Sequence, residues 1–259
     1  MTPLKISVVN YTNSLPYIEG LKSLPHHFQF TADIPSLCAQ KMISGQASIG
    51  LLPVASLPSL KNPFHFCDYG IAAHHQVDSV LLLSHQPLEQ IQVIELDYHS
   101  RTSAALIQLL AQRHWKIKPT FTHATPGFET APNQHAKLII GDRAFQYQHL
   151  FPYHYDLATA WYHYSGLPFV FAAWISTSPL SPDISALLTT AFDHGIALIP
   201  QIIEQYKGAL PRSIAAKYLT HTIIYRLSPL HQQGMQRFLN ELQTIQPLPQ
   251  INTNSLFTF

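Results

Sequence analysis

Four short stretches of this sequence concentrate side chains that can form hydrogen bonds or carry charge. They are NYTNSLP at residues 10–16, LLPVASL at 51–57, DYHSRTSAAL at 97–106 and IIGDRAF at 139–145. Each stretch follows an apolar run typical of a buried strand and stands where a helix is predicted to begin. Because open α/β sheets bind ligands beyond the carboxyl ends of their strands, we expect these stretches to line a ligand cleft.

The stretch at residues 97–106 has the composition of an anion site. Ser100, Thr102 and Ser103 precede or begin an apolar helix. Hydroxyls and free backbone N–H groups at a helix N-terminus favour anions, and the helix dipole adds to the attraction. Arg101 supplies a guanidinium that can bind a carboxylate through two hydrogen bonds. Ordinary capping by one Ser or Thr explains the same residues, so the local sequence leaves both interpretations open.

The other polar positions also allow two interpretations. Asp142, in IIGDRAF, can cap the next helix or accept a hydrogen bond from a substrate hydroxyl. Ser79 begins a predicted strand and is either a hydroxyl without a role or a donor that faces the cleft. NYTNSLP holds more polar groups than one helix start requires, which favours a ligand site without excluding a cap.

The elements that must position these stretches alternate along the chain. Strands are predicted at residues 5–9, 47–52, 79–84, 92–96, 137–140 and 168–175, and helices at 15–24, 35–44, 102–115, 156–165, 181–206, 211–218 and 228–243. This alternation predicts α/β layers around a largely parallel sheet, and it does not distinguish one sheet from two. Residues 246–259 show no periodicity and are expected to form a tail over the surface.

Composition excludes several classes of function. Hydrophobic residues make up 46% of the 259 residues and charged residues only 11%, which predicts a folded protein with a large core. A net charge of +1 gives no electrostatic footprint for nucleic acid. No apolar run reaches the ~18 residues of a membrane span, and MTPLKISVVN does not resemble a secretory signal. We therefore expect a cytoplasmic protein with neither nucleic-acid nor membrane partners.

The remaining motifs argue against metals and common cofactors. The two cysteines, Cys38 and Cys67, form no C-x-x-C pattern and are expected to be free thiols. The histidine pairs at residues 26–27 and 74–75 lack the spacing of a metal-binding helix and are interpreted as surface residues. Neither G-x-G-x-x-G, G-x-x-x-x-G-K-[ST] nor G-x-S-x-G is present. No cofactor and no metal are predicted.

Taken together, six segments resemble the chorismate dehydratases of the futalosine-type menaquinone pathway. They are NYTNSLP, IPSLCAQKMISGQASIGLLPVASL, VDSVLLLS, LDYHSRTSAALIQLL, LIIGDRAF and YSGLPFVFAAW, in the same order from about residue 5 to 242. The resemblance implies the two-lobed α/β fold of type 2 periplasmic binding proteins, with a ligand cleft between the lobes. It also implies a discontinuous first lobe, residues 1–85 and 173–259, and a second lobe at 86–172.

The resemblance implies a lyase that converts chorismate to 3-[(1-carboxyvinyl)oxy]benzoate. Asn13 and Ser79 then take the catalytic positions, and no histidine, lysine or cysteine in these motifs is an obvious base. The substrate's own carboxylate would therefore take the ring proton, with Asn13 fixing its geometry. The positions assigned to substrate binding by the same motifs are Tyr11, Thr12, Pro53, Val54, Ser100, Arg101, Thr102, Ser103, Gly141 and Asp142.

One segment differs from the family pattern, and two alternative functions remain open. The segment YGIAAHHQVDSV, residues 69–80, differs from the Cys-Ile-Gly run usual in the family, so the loop before Ser79 is expected to differ in shape. A 1,4-dihydroxy-6-naphthoate synthase of the same pathway is the first alternative, although it typically begins with a Ser-Pro-Cys-Pro-Asn-Asp-type turn. The second is a non-catalytic cytoplasmic protein that binds a carboxylate.

Overall fold

Two separate β-sheets organise the chain, which is described over residues 3–245 by a computed structural model. The predicted surface tail at residues 246–259 lies outside the described residues. The strands are β1 Leu4–Val9, β2 Phe28–Asp33, β3 Ile49–Pro53, β4 Phe64–Ala73, β5 Val80–Ser84, β6 Val93–Leu96, β7 Thr120–His123, β8 Ala136–Ile140, β9 Tyr153–Asp156, β10 Phe169–Ser176 and β11 Ile224–Arg226. The helices are α1 Leu15–Leu21, α2 Pro35–Ile43, α3 Arg101–Leu110, α4 Asp142–Tyr147, α5 Leu157–Ser165, α6 Pro182–Ala197, α7 Ile199–Glu204, α8 Arg212–Lys217 and α9 Pro229–Leu242.

Both sheets are mixed, so the prediction of a largely parallel sheet was wrong. The first has the order β11-β4-β10-β3-β1-β2, and the second has the order β7-β6-β8-β5-β9. Strand β1 pairs in parallel with β2 and β3, whereas β10 runs antiparallel to β3 and β4. In the second sheet, β5 runs antiparallel to β8 and β9. Strand β11 also runs antiparallel, to β4. Sequence periodicity carries no information about strand direction.

The chain crosses between the sheets earlier than the lobe boundaries implied by the resemblance. Strand β5 already belongs to the second sheet, although it falls inside the segment 1–85 assigned to the first lobe. All of β10 pairs within the first sheet, although residues 169–172 fall inside the second-lobe segment. The crossings therefore lie between β4 and β5 and between α5 and β10, and the exact lobe boundaries stay a prediction.

The helices fall close to their predicted positions, with one division. The predicted helix at residues 181–206 is two helices, α6 and α7, because Pro200 has no N–H with which to continue the first one. Helix α3 continues into a π-helix, Ala111–Trp115, which ends at Lys116 with a left-handed φ of 57°. Five strands were not predicted, namely β2, β4, β7, β9 and β11, and each except β4 has six residues or fewer.

Packing of α1 against α6 supports the turn that enters the cleft. A Cβ on Gly20 would lie 2.0 Å from the backbone oxygen of Ala191, and a Cβ on Gly195 would lie 1.8 Å from that of Pro16. The two glycines therefore let these helices approach backbone to backbone. Beneath them, the ring of Tyr17 packs edge-on against Trp174 and Phe192. This contact fixes α1, and with it the turn that carries Asn13.

Candidate active site

A cleft between the two sheets brings together residues that are far apart in sequence. Its empty volume is about 530 Å³, including the part open to solvent. The polar residues that line it are Tyr11, Asn13, Ser14, Ser79, Ser100 and Ser103. The remaining walls are apolar apart from the backbone of Gly141 and include Val9, Pro35, Pro53, Ile71, Val77, Val80, Ile140, Phe171 and Ala172. The first, third and fourth polar stretches of the sequence thus meet at one cavity, and Pro53 of the second borders it.

The turn after β1 presents Asn13 to the cleft through a short 3₁₀ helix, Thr12–Ser14. Ser14 Oγ donates to Asn13 Oδ1 at 3.1 Å, and Asn13 Nδ2 donates to the hydroxyl of Tyr218 at 3.0 Å. These two bonds fix the orientation of the amide. Pro16 then stands within the first turn of α1, where a missing N–H costs no hydrogen bond.

Ser79 is held at the crossing between the sheets. Asp78 before it adopts a left-handed φ of 61°, a conformation that Asp tolerates better than most residues. The Asp156 carboxylate accepts hydrogen bonds from the backbone N–H groups of Val77 at 3.0 Å and Asp78 at 2.8 Å. The same carboxylate caps α5, and its burial raises the pKa of Asp156. Residues 74–76 of the atypical loop are exposed, while Val77 lines the cavity.

Helix α3 begins at the opposite wall of the cleft. Ser100 is its N-cap, since Ser100 Oγ accepts the N–H of Ser103 at 3.1 Å and donates to Ser103 Oγ at 3.0 Å. Ser100 and Ser103 therefore form the helix cap and also line the cavity. Thr102 does not line the cavity, because its Oγ1 accepts the N–H of Ala55 at 3.2 Å. Arg101 is half-buried and forms no side-chain hydrogen bond or ion pair within residues 3–245.

Asp142 joins the two lobes and is not among the residues that line the cavity. Its carboxylate accepts hydrogen bonds from Thr12 Oγ1 at 3.0 Å and from the Thr12 N–H at 3.3 Å. Thr12 Oγ1 also lies 2.8 Å from the hydroxyl of Tyr206. Burial raises the pKa of Asp142, while the bonds from Thr12 act in the opposite direction. Val54 is fully buried beside Pro53 and is not a lining residue either.

Sequence reasoning missed a second connection between the lobes. The hydroxyl of Tyr11 lies 3.1 Å from His99 Nδ1, and Arg143 donates to the same nitrogen at 3.0 Å. Because a guanidinium only donates, Nδ1 is an acceptor and the ring proton of His99 resides on Nε2. Burial lowers the pKa of His99, which keeps the ring neutral. His99 stands inside LDYHSRTS, so the sequence did contain a histidine in these motifs, beside the serines that cap α3.

Arg143 brings no net positive charge to the cleft. It donates to both oxygens of Asp97 at 2.6 and 2.8 Å and also pairs with Glu129. Among the residues that line the cavity there is no Lys, Arg, His, Asp or Glu. An anion in this cavity would therefore meet neutral hydrogen-bond donors and the N-terminus of α3.

Other candidate chemistry lies away from the cleft. Cys38 and Cys67 are free, and burial raises the pKa of each thiol to about 12. Within residues 3–245, no group of three or more His, Cys, Asp or Glu side chains is arranged to hold a metal ion. Over the same residues, no helix combines the length and apolar character needed to cross a bilayer.

The chain has the two-lobed fold of periplasmic binding proteins. An Archaeoglobus fulgidus protein of known structure superposes with a TM-score of 0.74 at 13% identity, covering 93% of this chain and 96% of that one. A Candida albicans protein described as having the generic periplasmic binding protein fold gives a TM-score of 0.62 at 10% identity, with coverage of 96% and 92%. The alkanesulfonate-binding protein SsuA of Xanthomonas axonopodis pv. citri gives 0.58 at 13% identity, with coverage of 92% and 90%. The expected fold class is thereby confirmed.

Sequence comparison then identifies the family. The model of a family described as menaquinone biosynthesis matches residues 4–244. Chorismate dehydratase of Thermus thermophilus is 27% identical, covering 93% of this chain and 96% of the relative. Chorismate dehydratase of Campylobacter jejuni is 24% identical, with coverage of 92% and 96%. The chain belongs to the menaquinone biosynthesis family, as the six sequence segments predicted.

Proposed function

We propose that this protein is a hydro-lyase that dehydrates chorismate to 3-[(1-carboxyvinyl)oxy]benzoate in menaquinone biosynthesis. The observation that carries the proposal is a cavity between the lobes with Asn13 and Ser79 on its wall and Ser100 and Ser103 facing it. Family membership and two relatives named chorismate dehydratase support it. The futalosine-type route and a cytoplasmic location are part of the same proposal.

The cavity offers the groups that this dehydration requires. A ring C–H bond and the bond to the ring hydroxyl break, the two electrons of the C–H bond become part of the aromatic ring, and water leaves. Aromatisation favours the product, so the site must mainly hold two carboxylates, orient the base and assist the departing hydroxyl. Neutral donors of fixed orientation perform these tasks in a partly enclosed, largely apolar cavity.

The residues divide these tasks between the lobes. The start of α3, with Ser100 and Ser103, binds one carboxylate. The second carboxylate belongs to the enolpyruvyl group of the substrate and takes the ring proton, while Asn13 fixes its geometry. Ser79 donates to the hydroxyl that leaves. None of the described residues that line the cavity is a His, Lys, Asp or Glu, which leaves the substrate carboxylate as the base.

The test is to mix purified protein with chorismate and to follow an aromatic product by ultraviolet absorbance and mass. We expect a product 18 mass units lighter than chorismate, which corresponds to one lost water. Binding without turnover would instead support a non-catalytic carboxylate-binding protein, the role that the fold of SsuA-like proteins allows. If chorismate were neither bound nor converted, the assignment of this cavity to chorismate would be contradicted.

Asn13→Ala is expected to lower kcat at least tenfold, because it removes the group that orients the carboxylate. Asn10→Ala is the matched control, since Asn10 lies in the same turn, is exposed and forms no side-chain hydrogen bond within the described chain. Circular dichroism should show both variants folded. Full turnover by a folded Asn13→Ala protein would remove Asn13 from the mechanism.

A further inference from the structure

Tyr218 stands behind the cavity at the meeting point of three chain segments. It begins a π-helix, Tyr218–Thr222, that follows α8 near the end of the described chain. The side chain is 2% exposed, and its ring packs edge-on against Phe145 of α4 with 5.0 Å between centroids. Tyr218 is not among the residues that line the cavity, so it does not face a bound ligand directly.

The hydroxyl of Tyr218 connects the two residues assigned to catalysis. It accepts a hydrogen bond from Asn13 Nδ2 at 3.0 Å and donates one to Ser79 Oγ at 2.7 Å. Asn13 follows β1 of the first sheet, whereas Ser79 precedes β5 of the second. One phenol therefore sets the distance between a group from each side of the cleft.

The directions of these bonds follow from the chemistry of the partners. The Asn13 nitrogen only donates, so the phenol oxygen accepts and its own proton points to Ser79. Burial raises the pKa of Tyr218 above its usual range, so the proton is present throughout the neutral range. Ser79 Oγ has no other partner among residues 3–245, which leaves its hydrogen free to point into the cavity.

We propose that Tyr218 is a positioning residue that holds the Asn13 amide and turns the Ser79 hydroxyl towards the reacting groups as a donor. This inference rests on the proposed function of the same cavity. Without the phenol hydroxyl, Ser79 Oγ can donate to other groups, and the Asn13 amide can rotate. Turnover should then fall while the start of α3, which binds a carboxylate, is unaffected.

The first experiment compares Tyr218→Phe with Tyr225→Phe in the chorismate assay. Tyr218→Phe should lower kcat about tenfold or more and change KM less than about threefold, because orientation is lost and carboxylate binding is retained. Tyr225 is a matched control: it is equally a buried tyrosine near the C-terminus, 6% exposed, and its hydroxyl has no hydrogen-bond partner in the described structure. Its variant should keep kcat within about twofold.

A double variant separates positioning from a general structural role. If Tyr218 acts through Ser79, then Tyr218→Phe should slow the Ser79→Ala protein by less than about threefold, compared with about tenfold in the unaltered protein. Fully multiplicative effects of the two substitutions would overturn the inference. Retention of kcat within twofold by a folded Tyr218→Phe protein would overturn it as well.

A second measurement does not depend on turnover. In protein labelled with ¹⁵N at asparagine, one side-chain amide proton of Asn13 should exchange with water more slowly than those of Asn10, and Tyr218→Phe should abolish this protection. Asn13→Ala and Asn10→Ala assign the signals. Exchange at Asn13 as fast as at the exposed Asn10 in the unaltered protein would contradict the inference even if Tyr218→Phe failed to fold.

The two experiments distinguish the failure of each idea. If the unaltered protein does not convert chorismate but the Asn13 amide is protected through Tyr218, the proposed function fails and the positioning role stands. If chorismate is converted but Tyr218→Phe changes neither kcat nor amide exchange, the proposed function stands and the positioning role fails.

Discussion

At the scale of single residues, the cavity offers donors without net charge. Asn13, Ser79, Ser100 and Ser103 present amide or hydroxyl groups, and the guanidinium of Arg143 is paired with two carboxylates. Neutral donors bind a carboxylate without the additional desolvation cost of burying a cation beside it. The arrangement therefore suits an enzyme that must also let an anionic product leave.

Gly141 provides a test at this scale. Its φ of 65° and ψ of −149° lie in a region that is nearly exclusive to glycine, and a Cβ there would lie 2.8 Å from Cε1 of Tyr11. Gly141→Ala should lower the free energy of unfolding by about 2 kcal/mol or more and should also impair turnover, because Tyr11 must move from the cavity wall. Urea unfolding and the chorismate assay measure the two effects.

Gly127→Ala is the control for backbone strain alone. Gly127 also has a positive φ, 86°, but a Cβ there would have no neighbour within 4 Å. We expect a loss of about 1 kcal/mol in stability and unchanged turnover. Equal effects of the two substitutions on turnover would show that the contact between Gly141 and Tyr11 is unimportant.

At the scale of elements, helix starts determine how each segment enters the structure. Ser100, Asp156 and Ser181 are the N-caps of α3, α5 and α6, and each has a side chain that accepts backbone N–H groups. Helix α9 uses a capping box in which His231 stands where Glu or Gln is usual. His231 Nδ1 accepts the N–H of Ser228 at 3.2 Å, so this cap requires an unprotonated Nδ1.

The capping box predicts a pH dependence of stability. Burial, and then repulsion by His74, lower the pKa of His231 from its usual value of 6.5. The unfolded chain therefore binds the proton more readily, so this contribution is complete above pH 6.5 and decreases as the pH falls below it. Loss of the cap should lower the free energy of unfolding by about 1 kcal/mol. Urea unfolding between pH 7.5 and 5.5 measures it.

His231→Gln should reduce that pH dependence, because glutamine can accept the same N–H without titrating. His26→Gln, at an exposed position outside any helix cap, is the control and should leave the dependence as in the unaltered protein. If the free energy of unfolding of His231→Gln depended on pH as steeply as that of the unaltered protein, other groups would account for the acid sensitivity.

At the scale of the whole molecule, one turn of the first lobe holds the cleft closed. Tyr11 and Thr12 contact His99 and Asp142 of the second lobe, at separations of 88 and 130 residues. The hydroxyl of Tyr218 accepts a bond from Asn13 of its own lobe and donates to Ser79, which precedes the second sheet. The N–H of Ala55 adds a further connection to the second lobe, through Thr102. These bonds describe a closed cleft, and entry of a substrate requires some of them to break.

Asp142→Ala tests the connection that carries a charge. Loss of the bonds from Thr12 should favour an open cleft, so we expect KM to rise about five- to tenfold while kcat changes less. Small-angle scattering of the ligand-free protein should show a larger radius of gyration. Asp183→Ala, at an exposed position in the first turn of α6, is the control. An unchanged KM and radius of gyration would show that Asp142 does not help to close the lobes.

The sequence predicted the helices and the polar strand ends better than it predicted the sheets. The predicted helices at 102–115 and 228–243 correspond to α3 and α9, and the turn after β1 was interpreted as part of a cleft. The roles of Asn13, Ser79 and the α3 serines stay predictions for the experiments above. Tyr206 and Tyr218 were missed because each is a lone tyrosine outside any motif. Only the folded chain brings Tyr206 to Thr12 and Tyr218 to Asn13.

The sequence by itself determined the family, the α/β class and the groups that end the strands, because these depend on local periodicity and on the order of motifs. The tertiary structure alone decided that β5 and β10 run antiparallel to their neighbours, that Asp142 joins the lobes, and that Tyr218 stands between Asn13 and Ser79. Strand direction and contacts across 130 to 205 residues depend on where the chain crosses between sheets. That crossing is a property of the whole packed molecule and leaves no periodic signal in the sequence.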